Sequence, residues 1–458
     1  MIKEITDMRV HFISDKGKNI DIAFFPDTYR FFSINEIGKK LIDAICKKKE
    51  FNEIKDSIEI ERDLFEEYRE MIKTYAVAEV SEKLDFENNK KILNRVAINI
   101  TNSCNLECKY CYANGGNYHT DEHIMPLEIL EKTLNSFYDK FDDIRNIQLF
   151  GGEPLMSIRN IKFTCEYIRK LKKNRQITTS IGLVTNGTLI NKKFIDLVNE
   201  YNIQITVSFD GTRLVNDINR VYSNGRGSSG VIIDRVNKLR EGTNNMQPSQ
   251  IEITYNRSHL QNGVTVKDCI DSCNKIFYGV PLHLVPAGGS DNDEFVIDDI
   301  KCMVESVDDI FDDWSENLHS YSLVDRIIRA LVTKKGNRTY LCDAGIGTLS
   351  VSTKGVIYPC FMFTDNEKLS LGTVYDDNIL STTKTLDRLV NLEKFNNKKT
   401  NSKCASCFIN NICSGCLGLN ELNSGKVDIL SDKDCEMHKK MVEKVILRMA
   451  ERVEKSNV

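Results

Sequence analysis

The stretch Cys104-Asn-Leu-Glu-Cys108-Lys-Tyr-Cys111 constrains this chain more than any other. It spaces its cysteines as C-x3-C-x2-C and follows the apolar run Val96-Ala-Ile-Asn-Ile-Thr, which reads as a buried strand. Three thiolates on one loop at a strand end suit three corners of an iron–sulfur cube. They cannot complete the four-cysteine shell of an ordinary [4Fe–4S] cluster, so one iron is left for a small molecule. Zinc is the other metal to weigh, but structural zinc takes four ligands, usually in tighter paired knuckles. Plain packing of buried cysteines is the bland alternative, and the flanking aromatics Tyr110 and Tyr112 argue against it.

Composition narrows the class. At 458 residues a single core is too small, and about two to four domains are expected. With 41% hydrophobic and 28% charged residues the chain reads as soluble and globular. A net charge of −4 against 62 basic residues implies no polyanion-binding surface, hence no nucleic-acid partner. Met1-Ile-Lys-Glu-Ile-Thr-Asp carries no apolar signal core, and no run approaches the ~18 apolar residues of a membrane helix. The 15 cysteines then favour metal ligation over disulfides, in a reducing, cytoplasmic interior.

The first ninety or so residues read as a small module. Met8-Arg-Val-His-Phe-Ile and Asn19-Ile-Asp-Ile-Ala-Phe-Phe flank Asp15-Lys-Gly-Lys as a hairpin with a glycine turn. A helix follows from Ser33, a plausible N-cap with Glu36 three residues on. Two more helical stretches run over Phe51–Ile58 and Leu64–Tyr75, and Ala76-Val-Ala-Glu-Val closes the unit. Cys46 is read as packing.

Lys83–Lys91 is polar and makes a linker. Beyond it strands and helices alternate. Strands are expected at Arg95–Thr101, Ile147–Phe150, Thr179–Thr185, Gln204–Phe209, Glu252–Tyr255 and Pro281–Val285. Helices are expected at Pro126–Phe141, Ile158–Lys173, Asn191–Glu200 and Val231–Glu241. Some six β/α units make an α/β fold, a partial (β/α)6 TIM barrel, with reactive groups at the strands' C-terminal ends. Motifs sit there. After the cysteines come Phe150-Gly-Gly-Glu-Pro-Leu, Val184-Thr-Asn-Gly-Thr and Ser208-Phe-Asp-Gly. Gly151 and Gly152 let backbone approach a ligand, Glu153 can pair with an ammonium group, and Pro154 stiffens the exit. Asn186, Ser208 and Asp210 can bond ribose hydroxyls, although Asn-Gly and Asp-Gly are also ordinary turns. Cys165, Cys269, Cys273 and Cys302 fall on helical patterns and are assigned to packing.

C-x3-C-x2-C with an aromatic residue before its last cysteine resembles the signature of the radical S-adenosylmethionine (SAM) superfamily. The resemblance implies a [4Fe–4S] cluster on Cys104, Cys108 and Cys111, with SAM on its open iron. Reductive cleavage of SAM gives a 5′-deoxyadenosyl radical that takes hydrogen from substrate, while the protein orients and shields. It places Gly151-Gly152-Glu153-Pro154 around the methionine amino group, Tyr110 near the adenine and Arg220 near the SAM carboxylate. A reduced flavodoxin or ferredoxin would supply the electron.

Seven more cysteines lie within 94 residues at the C-terminal end: Cys342, Cys360, Cys404, Cys407, Cys413, Cys416 and Cys435. The array resembles the SPASM extension, a twitch-type domain with two auxiliary [4Fe–4S] clusters, and two zinc sites are the alternative. Carried over by motif position, Cys404, Cys407, Cys413 and Cys435 would hold an outer cluster. Cys342, Cys360 and Cys416 would hold an inner one. Relatives with a full shell have one more cysteine soon after the first, where this chain has Asp343-Ala-Gly-Ile-Gly-Thr348. The inner cluster would then keep an open iron for a substrate thiolate. Maturases that form thioether links in ribosomal peptides, the sactipeptide and ranthipeptide enzymes, share that trait.

The expected domains are a winged-helix-like module at 1–85 holding a precursor's leader peptide as an added strand, a radical SAM barrel at 94–300 and a helical linker at 301–340. A SPASM domain at 341–440 and a C-terminal helix at 441–458 complete the chain. The expected activity is thioether formation, Cys sulfur to carbon, in a ribosomally made precursor peptide. Alternatives are carbon–carbon crosslinking, formylglycine formation in a sulfatase, or an iron–sulfur scaffold without SAM turnover.

Overall fold

The structure is a computed structural model that describes residues 8–58, 60–76, 91–118, 120–290, 292–312, 321–336 and 339–456. Its centre is one open sheet built on the fourth strand in the chain. That strand, β4 (Ile92–Thr101), is buried from Val96 onward. Val96, Ile98 and Ile100 are buried in the main core, while Ala97, Asn99 and Thr101 face the other way. Parallel partners follow in chain order: β5 (Asp143–Gly151), β6 (Ser180–Thr185), β7 (Gln204–Ser208), β8 (Gln250–Tyr255) and β9 (Leu282–Pro286).

Helices carry the chain between these strands. The main ones are Leu127–Lys140, Ile158–Asn174, Lys192–Tyr201, Ser229–Gly242 and Val266–Ile276. Their apolar stripes, such as Leu130, Leu134 and Phe137 on the first, meet the outward strand residues in one core. Strand–helix alternation therefore yields the parallel sheet the sequence implies. Each expected strand is present, lengthened or shifted at its ends. Cys165, Cys269 and Cys273 lie in this core, and Cys46 packs in the smaller N-terminal one.

Two further strands were not foreseen. β10 (Thr348–Val351) pairs parallel with β4, Ser350 opposite Ala97, and β11 (Ile357–Tyr358) pairs antiparallel with β10. The order is β11-β10-β4-β5-β6-β7-β8-β9. The cysteine-rich region is thus bonded to the strand that leads into Cys104. Strands of four and two residues carry too little periodicity to be read locally.

The N-terminal region differs from the expected hairpin. β1 (His11–Asp15), β2 (Ile20–Phe25) and β3 (Arg30–Ile34) form a three-stranded antiparallel sheet. Ser33 lies within β3, and the helix Glu36–Cys46 is capped instead by Asn35, which accepts the Gly38 N–H at 2.7 Å. Helices Phe51–Ile58 and Arg62–Ala76 follow. The closing strand expected at 76–80 lies, from 77 on, outside the described residues.

This small sheet buries both faces. Ala23 and Phe25 pack on Leu41, Ile45, Phe65 and Ile72 of its own helices. Ile13, Ile22 and Phe24 instead join the main core. His11 stacks on Phe408 with ring centroids 3.6 Å apart and contacts Glu443 at 2.7 Å. Asn411 donates to the Pro26 carbonyl, and Tyr29 donates to the Asn411 carbonyl. The chain's beginning is therefore docked on its cysteine-rich end. A boundary at 441 is also absent, because one helix runs over Asp432–Ser456 and carries Cys435 in its first turn.

Candidate functional site

The cysteine loop leaves β4 and is pinned by its backbone. Glu107 N–H donates to Val221 O and Lys109 N–H to Asn219 O, at 2.7 and 3.0 Å. Gly152 N–H donates to Thr101 O and Glu153 N–H to Ser103 O. The approach of this turn to the loop is very close. A Cβ on Gly151 would stand 1.8 Å from Thr101 O, and one on Gly152 2.2 Å from Ser103 O. Gly151 also sits at φ +134°. These glycines therefore admit the loop's own backbone, where a ligand was expected.

Cys104, Cys108 and Cys111 are free thiols whose charges would interact with one another. Burial pushes Cys104 up to about 12 and Cys108 to about 11, the latter against the pull of Arg220. Deprotonation then needs a metal's charge. Cys104 Sγ already accepts the Leu106 N–H at 3.5 Å and lies 3.9 Å from Asn186 Nδ2, the kind of donors a thiolate keeps. The donor set fits a cube with one unligated iron.

Glu153 is wholly buried and its carboxylate is engaged. It accepts N–H groups from Leu155 and Asn186 and the Thr185 hydroxyl, at 2.9, 2.7 and 2.7 Å. Burial raises its pKa and these bonds oppose the rise. Expected to meet an ammonium group, it instead ties the turn after β5 to the end of β6. Pro154 begins the short helical turn that follows. The Asn186 side chain likewise bonds Asn105 and Thr188 rather than facing outward.

Tyr110, Asp210 and Arg220 form one buried knot. The Tyr110 hydroxyl donates to Asp210 at 2.8 and 2.9 Å and accepts from Arg220 at 2.7 Å. Arg220 Nε keeps no hydrogen-bond partner, which suits a polar ligand beside Cys108. Ser208 ends β7 at the same mouth. Sequence reading passed over Glu252, which pairs in register with Ser208 and lies near Arg220 and Asp210. Its inward position in the β8 alternation was the available signal. The hollow lined by Met246, Pro248, Tyr278 and Pro281 lies at the opposite ends of β8 and β9.

The later cysteines lie within electrostatic reach of one another in two groups. Cys342, Cys360 and Cys416 interact with one another. Cys416 caps the helix Leu417–Ser424, its sulfur accepting the Leu419 N–H at 3.4 Å, a position that favours a thiolate. Asp343 O accepts the N–H groups of Ile346, Gly347 and Thr348, so the stretch without a cysteine closes into a tight turn. Cys404, Cys407, Cys413 and Cys435 form the second set. Beside it the buried Lys398 ammonium donates to Asn410 O and Cys413 O, both at 2.7 Å. Among the described residues no three His, Cys, Asp or Glu side chains gather about a single ion.

Tyr112 lies within electrostatic reach of both Cys111 and Cys360. Phe150, at the end of β5, packs on Phe361 with centroids 4.9 Å apart. The first cysteine set and the inner one thus face a shared aromatic wall.

An open parallel sheet with a three-thiol loop at its strands' C-terminal mouth defines an α/β protein whose thiols suit an iron–sulfur group. Residues 98–274 match the Radical SAM superfamily, so this segment is similar to a radical SAM domain. Among curated relatives, the "Radical SAM cyclopropyl synthase TigE" of Paramaledivibacter caminithermalis is 25% identical over 79% of this chain and 78% of its own length. The "Cysteine-type anaerobic sulfatase-maturating enzyme" of Clostridium novyi is 30% identical over 30% of this chain and 38% of its own. Among solved structures, "Native anSMEcpe with bound AdoMet and Cp18Cys peptide" superposes with a TM-score of 0.64 at 19% identity, covering 80% of this chain and 99% of that one. Streptococcus suis SuiB bound to S-adenosylmethionine gives 0.52 at 16% identity, covering 94% and 100%. The last two show a shared fold.

Proposed function

We propose that this chain is a radical SAM peptide maturase that joins a cysteine sulfur to a carbon in a ribosomally made precursor. The reading rests on one observation. The inner set offers three thiols, its fourth position is a cysteine-free turn at Asp343–Thr348, and it shares the Tyr112 wall with the SAM-binding loop. When bound, SAM and the first cluster supply a hydrogen-abstracting radical, and a three-thiolate auxiliary cube supplies a Lewis-acidic iron for a substrate thiolate.

The residues do the rest. Cys104, Cys108 and Cys111 would hold the first cluster, Cys342, Cys360 and Cys416 the inner one, and Cys404, Cys407, Cys413 and Cys435 the outer one. The Gly151–Pro154 turn, Asn186, Ser208 and the Tyr110–Asp210–Arg220 knot shape the SAM pocket. The three-stranded N-terminal sheet would hold a leader peptide as an added strand. A flavodoxin- or ferredoxin-type protein would deliver the electron.

A second reading, carbon–carbon bond formation, is favoured by the cyclopropyl synthase relative. Formylglycine formation is favoured by the sulfatase-maturating one. Mass spectrometry of the peptide encoded beside the gene separates all three. Loss of two hydrogens with one cysteine no longer alkylated supports the thioether. The same loss with all cysteines alkylated sinks it in favour of a carbon–carbon bond, and a hydroxylamine-reactive aldehyde sinks it in favour of formylglycine.

A further inference from the structure

Unpaired buried polar atoms collect in one place that the cofactors' residues do not occupy. Asn99 is 1% exposed, and neither its Oδ1 nor its Nδ2 has a hydrogen-bond partner among the described residues. It lies on the face of β4 opposite Ile98 and Ile100, in register with Phe150. Ser350, fully buried on the neighbouring β10, is opposite Ala97 and so shares that face, and its Oγ is also unpaired. The Tyr118 hydroxyl lies toward Tyr112 and Asn99, near enough for each to act on it as a weak hydrogen-bonding neighbour, yet completes no well-formed bond with either. The Thr364 hydroxyl, one residue before Asp365, is unpaired as well.

A buried amide without partners costs about 1–3 kcal/mol, and four such side chains in one wall are not the signature of a finished core. Their chemistry is uniform. A carboxamide and three hydroxyls are neutral, and each can both donate and accept. That matches a peptide group, which offers one N–H and one C=O, better than it matches a phosphate or a carboxylate. The location matches too, since the wall runs from Cys111 to the loop after Cys360.

We propose that Asn99, with Tyr118 and Ser350, forms a slot that hydrogen-bonds the substrate's main chain and so sets which residue lies between the SAM-binding loop and the inner cysteine set. This deepens the peptide-maturase reading and rests on it.

The test uses reconstituted holoenzyme and two capped tripeptides, acetyl-Gly-Cys-Gly-amide and acetyl-Gly-Ser-Gly-amide, with binding measured by equilibrium dialysis. The slot needs no thiol. Both peptides are expected to bind, and Asn99→Leu is expected to weaken both by about the same factor, roughly tenfold for lost hydrogen bonds. Tyr118→Phe should weaken both more modestly. Folding of each variant is checked by its iron content and circular dichroism. If Asn99→Leu binds both peptides as wild type does, or if wild type binds neither at millimolar concentration, the slot holds only water and the proposal falls. If the serine peptide binds through Asn99 and the cysteine peptide gains nothing over it, the slot stands and the thiolate reading falls. If only the cysteine peptide binds and Asn99→Leu leaves it unchanged, the thiolate reading stands and the slot falls.

Discussion

The Tyr110 hydroxyl donates to both oxygens of Asp210, 100 residues further along the chain, at 2.8 and 2.9 Å. Tyr110 stands between Cys108 and Cys111 and Asp210 just beyond the end of β7, so this contact fixes the cysteine loop over the sheet's mouth. Arg220 completes it from the other side. Tyr110→Phe removes a charge-assisted bond from a buried carboxylate. A loss of roughly 2–3 kcal/mol is expected, with faster cluster loss. Urea unfolding under anaerobic conditions reads the first, and the decay of the cluster's visible absorbance the second.

Glu153 binds two N–H groups and a hydroxyl at the junction of β5 and β6. Glu153→Gln would present an NH2 group to one of those donors. The Gly151–Gly152 turn should loosen, and SAM affinity should fall by roughly tenfold or more. Equilibrium binding of SAM to reconstituted protein measures this. An unchanged affinity would mean that the tie does not support the SAM pocket.

The three cysteine sets make separate predictions for iron. Wild type should carry about twelve irons per chain, for three four-iron cubes. Cys360→Ala and Cys413→Ala should each lower the count by about four, from different sets, and the double variant by about eight. Iron analysis with Mössbauer spectroscopy decides it, and a wild-type count near four would leave only the first cluster.

Lys398 is 1% exposed, and its ammonium bridges the carbonyls of Asn410 and Cys413. Lys398→Met strands both carbonyls, at about 1–3 kcal/mol each. The outer set should release its iron first, while iron on the other two sets is retained. Comparison with Cys413→Ala shows whether the two variants lose the same spectroscopic component.

His259 should make stability depend on mild acid. It is buried, accepts the Asn256 N–H through Nδ1 at 3.1 Å and places Nε2 3.2 Å from Asp210 O, so the neutral ring is satisfied. Burial lowers its pKa below the ordinary 6.5, against the attraction of Asp210. The unfolded state then binds the proton first. Stability contributed by the neutral ring is intact above about pH 6.5 and falls as pH drops toward the folded pKa, by up to ~1.4 kcal/mol per pH unit. His259→Gln should flatten that slope in urea titrations between about pH 7 and pH 5.5.

Parallel strands with helices between them were legible because each β/α unit carries its own periodicity, as β4 and the helix Leu127–Lys140 illustrate. β10 was not, because its stability comes from pairing with β4 some 250 residues earlier in the chain. β3 was not, because Arg30-Phe-Phe-Ser-Ile runs directly into the helix start and Ser33 was read as that helix's cap.

Sequence by itself determined how the thiols of the Cys104–Cys111 loop are spaced, since that spacing is a covalent property of a short loop. Tertiary structure decided what the intervening polar groups do. Glu153 and Asn186, read as ligand contacts, are bound to other segments, while Asn99, read only as part of a strand, is left unpaired beside the shared wall. Hydrogen-bond satisfaction depends on which distant segments meet, and only the folded chain specifies that.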